Sequence, residues 1–323
     1  MNGNLIGVFG SNPSIKTDFL SSIGKKSETE GITIYQRNET GRKFSFLDDS
    51  AFPDKIQGYA RIGAISDLAY YVFPADGKLT PPDGELAILL DSFGLTGEIQ
   101  VIDGSAEMAS NLVSSSFKGL SLSKYQVCAR SAKSSVIDLS KIVQRTDYPK
   151  DHALVYVDRC FNVKGVGLVA LGFVLTGTVS VHDKLRIIPG DIGKLAEVKG
   201  IQISDEDYDS TERGIRVGLS LKGVELKDMD KVSWMDDGSF RLSSSLEFEF
   251  AQSTYYKQPS VDRDLHIEVA GELLTTRVTQ GAASNRRIAK LTNSVPSWDG
   301  MRVSVIDLNS KALRVIGGGK IQA

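Results

Sequence analysis

Residues 10–17 read Gly-Ser-Asn-Pro-Ser-Ile-Lys-Thr, one letter away from the G-x-x-x-x-G-K-[ST] loop that cradles phosphate. Such a loop joins the end of a strand to the start of a helix. The apolar run Asn4–Phe9 lies directly before it, so the N-terminal part of the chain is committed to an α/β arrangement. The changed letter is Ile15, which stands where the second glycine belongs. The loop works by aiming successive backbone N–H groups at phosphate oxygens, with the lysine on the β/γ-phosphates and the hydroxyl on magnesium. A Cβ at the point of closest approach obstructs that ligand. Either the loop has been rebuilt around Ile15 or nucleotide is no longer bound.

The rest of the composition sets wider bounds. A chain of 323 residues has room for two or three domains, each with its own core. Lysine and arginine number 38 against 40 aspartates and glutamates, a net charge of −2. No global basic field points to DNA, and any contact with RNA must come from a local patch. Cys128 and Cys160 lie far apart and match no metal spacing, which suits structural thiols in a reducing compartment. His152, His182 and His266 are isolated and define neither a metal site nor a catalytic triad. The chain opens on no signal peptide and has no apolar run of the ~18 residues a membrane span needs. A cytoplasmic monomer with no membrane partner is the expectation.

Three segments differ in pattern. Up to about residue 148, short apolar strands (Asn4–Phe9, Lys43–Leu47, Leu68–Phe73, Glu98–Ile102, Tyr125–Ala129) alternate with amphipathic stretches. That alternation predicts a mostly parallel sheet with helices on both faces. Asp147-Tyr148-Pro149-Lys150 breaks it. From Ala153 valine-rich strands follow one another, punctuated by Gly165, Gly167, Gly177, Pro189-Gly190 and Gly223, which predicts a small antiparallel β-barrel. Asp236-Asp237-Gly238-Ser239 precedes a further strand-rich stretch, read as a second barrel. The expected domains are 1–148, 149–238 and 239–323, giving α/β plus β overall.

The middle segment carries a more specific signal. Asp-Arg-Cys-Phe-Asn-Val-Lys-Gly-Val-Gly-Leu-Val-Ala-Leu-Gly from Asp158, Gly-Thr-Val-Ser-Val-His-Asp-Lys-Leu-Arg-Ile-Ile-Pro from Gly177 and Arg-Val-Gly-Leu-Ser-Leu-Lys-Gly-Val from Arg216 follow in order over about 70 residues. These blocks resemble the second domain of translational GTPases, and most closely that of the selenocysteine-specific factor SelB, a relative of EF-Tu. The short archaeal form called EF-Pyl fits the same domain set. The likeness is strongest in this middle segment and weakest in the last domain. SelB proper carries further C-terminal modules, whereas this chain stops at Ala323, so a selenocysteine-decoding factor of the full type is not the expectation.

The resemblance allows an audit of the first domain. Gly10, Lys16 and Thr17 keep loop positions, Gly31-Ile32-Thr33-Ile34 matches a switch segment whose threonine (Thr33) would ligate magnesium, Asp48 matches the aspartate of D-x-x-G, and Ser131-Ala132-Lys133 resembles the loop behind the guanine base. Against these, the D-x-x-G glycine is Ala51, and Phe52 occupies the position of the catalytic histidine. A phenyl ring can neither accept nor position a proton. The guanine reader N-K-x-D should fall at residues 102–105, which read Ile-Asp-Gly-Ser. Losing a buried polar reader typically costs a hundredfold or more in discrimination. Only sixteen residues separate Lys16 from Thr33, leaving little chain to rearrange between nucleotide states. The first domain therefore reads as a pseudo-GTPase: GTP or GDP with Mg2+ is the ligand its family would take, the losses argue against it, and no other cofactor or metal is implied. In the bland alternative, Lys16 and Thr17 merely cap and solvate the first helix.

In the resembling family a pocket between the first two domains holds the aminoacyl end of a tRNA, contacted by an aspartate and two arginines. The matching positions are Asp158, Arg159 and Arg216. Guanidinium groups suit an anionic or carbonyl-bearing amino acid, although an Asp-Arg pair at a strand end is often no more than a surface ion pair. The alternation of that strand places Phe161 in the core. Tyr255, Tyr256 and Lys257, with Arg286 and Arg287 beside Lys290, form the local cationic and aromatic set that tRNA contact needs; the bland reading of Arg286 and Arg287 is a solvated turn. Three functions follow: a SelB/EF-Tu-like factor that binds aminoacyl-tRNA carrying a standard or a non-standard amino acid, without efficient GTP hydrolysis; a divergent but active GTPase; or a nucleotide-independent module that docks on the ribosome or a protein.

Overall fold

The structure, a computed structural model, describes residues 3–27, 32–39, 41–74, 76–131, 137–139, 142, 145–191 and 193–322. Its N-terminal sheet comprises β1 (Gly3–Phe9), β2 (Lys25–Ser27), β3 (Thr33–Glu39), β4 (Arg42–Asp48), β5 (Leu68–Phe73), β6 (Gly97–Ile102) and β7 (Gln126–Arg130) in the order β2-β3-β4-β1-β5-β6-β7. Strands β4, β1, β5, β6 and β7 run parallel, as the alternating pattern predicts, while β2 and β3 add an antiparallel edge. Helix α1 (Pro13–Ile23) packs Phe19, Leu20 and Ile23 with Ile6, Val8 and Tyr70 on one face. On the other face α2 (Gln57–Ile65), α3 (Pro81–Phe93) and α4 (Ala106–Ser116) cover Leu5, Phe9 and Tyr71. Burial on both faces explains why the central strands read as nearly continuous apolar runs.

The first barrel is formed by β8 (Leu154–Val163), β9 (Gly167–Thr176), β11 (Lys184–Ile188), β12 (Leu195–Ile203), β15 (Arg216–Lys222) and β16 (Trp234–Asp236), closed by the β11–β12 pairing. The short strand β13 (Glu206–Tyr208) extends it, and β10 (Thr178–Ser180) and β14 (Ser210–Glu212) pair as a separate two-stranded sheet. Its interior is a separate apolar cluster that includes Val155, Val157, Ile187, Val198 and Leu219. The second barrel closes in the order β17 (Arg241–Gln252), β20 (Arg286–Ser297), β19 (Glu272–Gln280), β18 (Arg263–Val269), β21 (Arg302–Ile306) and β22 (Val315–Ile321). Closure removes the exposed edges that would otherwise invite aggregation.

A single buried apolar cluster runs from α2 and α3 through Tyr156 and Trp234 into the second barrel. Polar ties reinforce the joints. Arg213 pairs with the buried Asp67 at 2.7 Å, and the Gly3 amide donates to the Arg213 carbonyl at 3.2 Å. Gly214, at φ +82°, lies so close to β1 that a Cβ would stand 2.1 Å from the Gly3 carbonyl oxygen. Only glycine meets both demands there. Among the described residues no helix is long and apolar enough to cross a membrane.

Candidate functional site

The phosphate loop is closed by its own sequence. Asn12 takes the N-cap, its side chain accepting from the Ile15 amide at 3.2 Å, and Pro13 starts the helix. The Lys16 amide bonds to the Asn12 carbonyl at 3.2 Å. Proline has no N–H, and the Ile15 and Lys16 amides are engaged in capping and winding α1. Ile15 is half-buried against the apolar cluster below the sheet. The cap is therefore Asn12 rather than Lys16 or Thr17; Thr17 is exposed, and Lys16 is 1% exposed. Gly10 remains packed against Val72, whose carbonyl oxygen would be 2.9 Å from an added Cβ.

Lys16 is drawn inward by a partner absent from the motifs. Its Nζ lies 2.7 Å from Asp48 Oδ1, donates to the Tyr59 hydroxyl and reaches the Asp49 carbonyl at 3.4 Å. An ammonium has three donors, and here each has an acceptor. The Tyr59 hydroxyl is itself 3.0 Å from Asp48 Oδ1 and 3.1 Å from the Val8 carbonyl. Burial, and then the Asp48 charge, push the Tyr59 hydroxyl well above its ordinary value, so it stays neutral. Nothing in the sequence marks this residue: Tyr59 falls at an apolar position of α2, and periodicity reads it as core.

The neighbouring segments agree. Thr33 sits opposite Asp48 in the β3–β4 ladder, while Gly31 lies outside the described residues. Phe52 is 2% exposed and packs its ring on Tyr59 with centroids 5.1 Å apart, which makes it a core residue. Asp49 Oδ1 accepts from the Ala51 amide at 2.8 Å, and Oδ2 is buried with no partner among the described residues; burial raises this carboxyl above its ordinary value. Arg314 of the second barrel donates to the carbonyls of Pro53 at 2.8 Å and Asp54 at 3.0 Å and pairs with Glu85 of α3. Sequence offered no signal for this clamp, because its ends are more than 200 residues apart. At the base-reading end, Ser105 caps α4 by accepting from the Met108 amide at 3.2 Å. Ser131 is exposed just beyond β7, and Ala132 and Lys133 lie outside the described residues.

Of Asp158, Arg159 and Arg216, Arg216 alone borders open space. A cavity of about 1070 Å³ lies between the first barrel and the β2–β3 edge, bordered by Lys25, Lys26, Lys199, Phe161, Leu171 and Arg216. Arg216 Nη2 pairs with Asp158 Oδ2 at 3.1 Å, and the guanidinium lies over the Phe173 ring at 4.9 Å. Its Nη1 is buried and has no hydrogen-bond partner among the described residues. Burial lowers the arginine's pKa; Asp158 opposes that shift, and the nearby Arg159 adds to it. The ion pair thus joins Asp158 to Arg216 rather than to its sequence neighbour.

Phe161 corrects the strand reading. The β8–β9 register shifts between Val157 and Arg159, a bulge centred on Asp158 that reverses the side-chain parity of the strand. Val155 and Val157 point into the barrel before it and Cys160 after it, so Phe161 turns outward to the cavity. Burial pushes the Cys160 thiol up to about 11, which fits an inert packing role.

The second-barrel candidates separate. Tyr255 is exposed. Tyr256, expected to face RNA, is 4% exposed and bonded through its hydroxyl to Asp307 at 3.0 Å and Arg263 at 2.7 Å, so it is a structural residue. Lys257 is exposed, its Nζ on the Thr254 carbonyl. Arg286 approaches Glu247 at 3.7 Å, and Arg287 is half-buried over Phe250 with bonds to Gln280 and Ser284. Both belong to local networks. Among the described residues no three metal-ligating side chains converge.

These observations define a class: a nucleotide-loop α/β unit joined to two β-barrels, as in translational GTPases. Residues 167–232 match the family described as elongation factor Tu domain 2. The solved structure of translation elongation factor SelB from Methanococcus maripaludis, in complex with the GTP analogue GppNHp, superposes at a TM-score of 0.79, covering 100% of this chain and 80% of that one at 19% identity. The selenocysteine-specific elongation factor of Methanocaldococcus jannaschii is 27% identical over 221 residues, 62% of this chain but 47% of that factor. An uncharacterized protein of the same organism is 26% identical over 326 residues, 99% of this chain and all of the relative. The chain thus has the fold of SelB and carries an EF-Tu-type second domain.

Proposed function

We propose that this SelB/EF-Tu-like protein binds aminoacyl-tRNA through the cavity at Arg216 and does so without a nucleotide switch. The reading divides the chain at 1–148, 149–238 and 239–323 and assigns the aminoacyl end to Asp158, Arg159 and Arg216, with Tyr255 and Lys257 on the RNA-facing side. It takes the protein as a cytoplasmic monomer that works with tRNA at or near the ribosome.

The observation that carries it is the contrast in polar satisfaction. The M. maripaludis SelB structure holds GppNHp, whereas here the Ile15 and Lys16 amides are engaged by Asn12 at the start of α1 and Lys16 Nζ is bonded to Asp48, Tyr59 and Asp49. Admitting a phosphate would require breaking a buried ion pair. At the cavity the reverse holds: a buried Nη1 has no partner among the described residues, and a polar group so placed gains by meeting an acceptor. A planar guanidinium with a free edge suits a carboxylate, a carbonyl or an anionic side chain on the amino acid.

Filter binding of charged and uncharged tRNA tests the first half: preference for charged tRNA, lost in Arg159→Ala, is expected, and equal binding of both would overturn it. Titration calorimetry with GTP, GDP and ATP plus magnesium tests the second half. Micromolar binding of GTP would sink the claim that the nucleotide switch is lost while leaving the tRNA claim standing.

A further inference from the structure

The tip of the β18–β19 hairpin is driven into the joint between all three parts of the molecule. Ala270 and Gly271 turn there with φ of 45° and 102°. The Ala270 carbonyl accepts from Trp234 Nε1 of the first barrel at 2.9 Å, and the Gly271 carbonyl accepts from Arg61 Nε of α2 at 2.9 Å. A Cβ on Gly271 would stand 2.8 Å from the Tyr156 ring and 3.1 Å from Ile65. The turn is held from behind by Glu268, whose Oε1 accepts from the Gly271 amide at 2.8 Å.

Glu268 is fully buried, and its Oε2 has no partner among the described residues. Charged groups reach it from two sides: Arg61 from α2, and Glu272 from its own hairpin. Arg61 is itself shared with Glu272 at 4.0 Å, with the Tyr156 ring at 5.7 Å and with the charge of Asp158 on β8, so it cannot neutralise Glu268 alone. A neutral carboxylic acid fits this seat. An ionised one would place an unsolvated oxygen and a second negative charge beside Glu272.

We propose that Glu268 is a proton-operated latch: protonated, it keeps the Ala270–Gly271 tip seated between the other two parts, and ionised, it releases the tip toward water. Burial raises this carboxyl from 4.5 to about 8, in the direction the geometry requires. For an acid whose pKa is raised in the seated state, that state is favoured at low pH. Its advantage over an unseated tip falls about tenfold per pH unit from the ordinary glutamate value upward and levels off above the raised one.

The two tryptophans make the test selective. The Trp234 indole N–H bonds to the tip, while the Trp298 indole N–H bonds to the Asp147 carbonyl at 2.7 Å, away from it. In a 1H–15N titration of the full chain from pH 4 to 10, the Trp234 indole signal should move with a midpoint between the ordinary glutamate value and about 8 while that of Trp298 stays fixed. In Glu268→Gln, which keeps the shape and mimics the protonated acid, Trp234 should no longer titrate. In Gly271→Ala, which unseats the tip sterically, its signal should sit at the released position throughout. A Trp234 signal that is flat in the wild type, or one that moves equally in Glu268→Gln or together with Trp298, overturns the latch.

Discussion

Two buried cation–aspartate pairs sit in this protein at nearly the same depth and have opposite character. Lys16–Asp48 is 2% and 7% exposed, and Arg216–Asp158 is 11% and 5% exposed. In the first, every ammonium donor has an acceptor, and the ammonium lies 4.8 Å from the centre of the Tyr59 ring. In the second, one buried guanidinium nitrogen is left without an acceptor among the described residues, on a side chain that borders a cavity. Depth does not separate a structural pair from a binding one; the completeness of hydrogen bonding does. A satisfied pair resists any ligand that must break it, whereas an unsatisfied one gains from a ligand that completes it.

The comparison can be broken most forcefully at Lys16. In Lys16→Ala, Asp48 loses its buried counter-ion, and equilibrium urea unfolding should show a loss of about 3–5 kcal/mol. The same experiment with millimolar GTP and magnesium should show no added stability, although a micromolar ligand at that concentration would contribute about 4 kcal/mol. A stable Lys16→Ala protein, or a wild type stabilised by GTP, would make the first pair functional after all.

Arg216→Lys should behave differently, because it retains a charge for Asp158 but loses the planar fork. Stability within about 1 kcal/mol of wild type, with aminoacyl-tRNA bound roughly ten- to a hundredfold more weakly in filter assays, corresponds to losing one hydrogen bond to a charged group. Unchanged affinity would remove Arg216 from the site.

The smallest effects separate the adjacent tyrosines. Tyr256→Phe deletes a buried hydroxyl shared by Asp307 and Arg263 and should cost about 1 kcal/mol of stability. Tyr255→Ala should stay within about 0.5 kcal/mol on unfolding, and any deficit it has should appear in tRNA binding. A reversal of the two would mean that the exposed ring is the structural one.

Much of the architecture was legible because it rests on local periodicity. Runs such as Leu68–Phe73 and Gly167–Leu175 can satisfy their backbone groups and bury their apolar atoms only as strands, and the glycines between them permit the turns. The candidate site was legible only by residue type. Asp158 and Arg216 could be nominated from their blocks, but their mutual pairing could not. Alternation alone put Phe161 in the core, because a bulge is a single unpaired residue whose location depends on the partner strand.

The sequence by itself determined that a strand, a phosphate-type loop and a helix open the chain, that two barrels follow, and that the glycine and histidine positions of the resembling motifs are held by Ile15, Ala51 and Phe52. Only the tertiary structure decided where Lys16 points, that Tyr59 and Asp48 receive it, that Tyr256 lies inside, that Arg314 clamps the segment after Asp48, and that Arg216 keeps an unmet donor. The physical reason is range. Helix and strand propensities act over a few neighbouring residues, but whether a buried charge is satisfied depends on which groups packing brings to it from segments 32 to 43 residues away for Lys16 and more than 200 for Arg314.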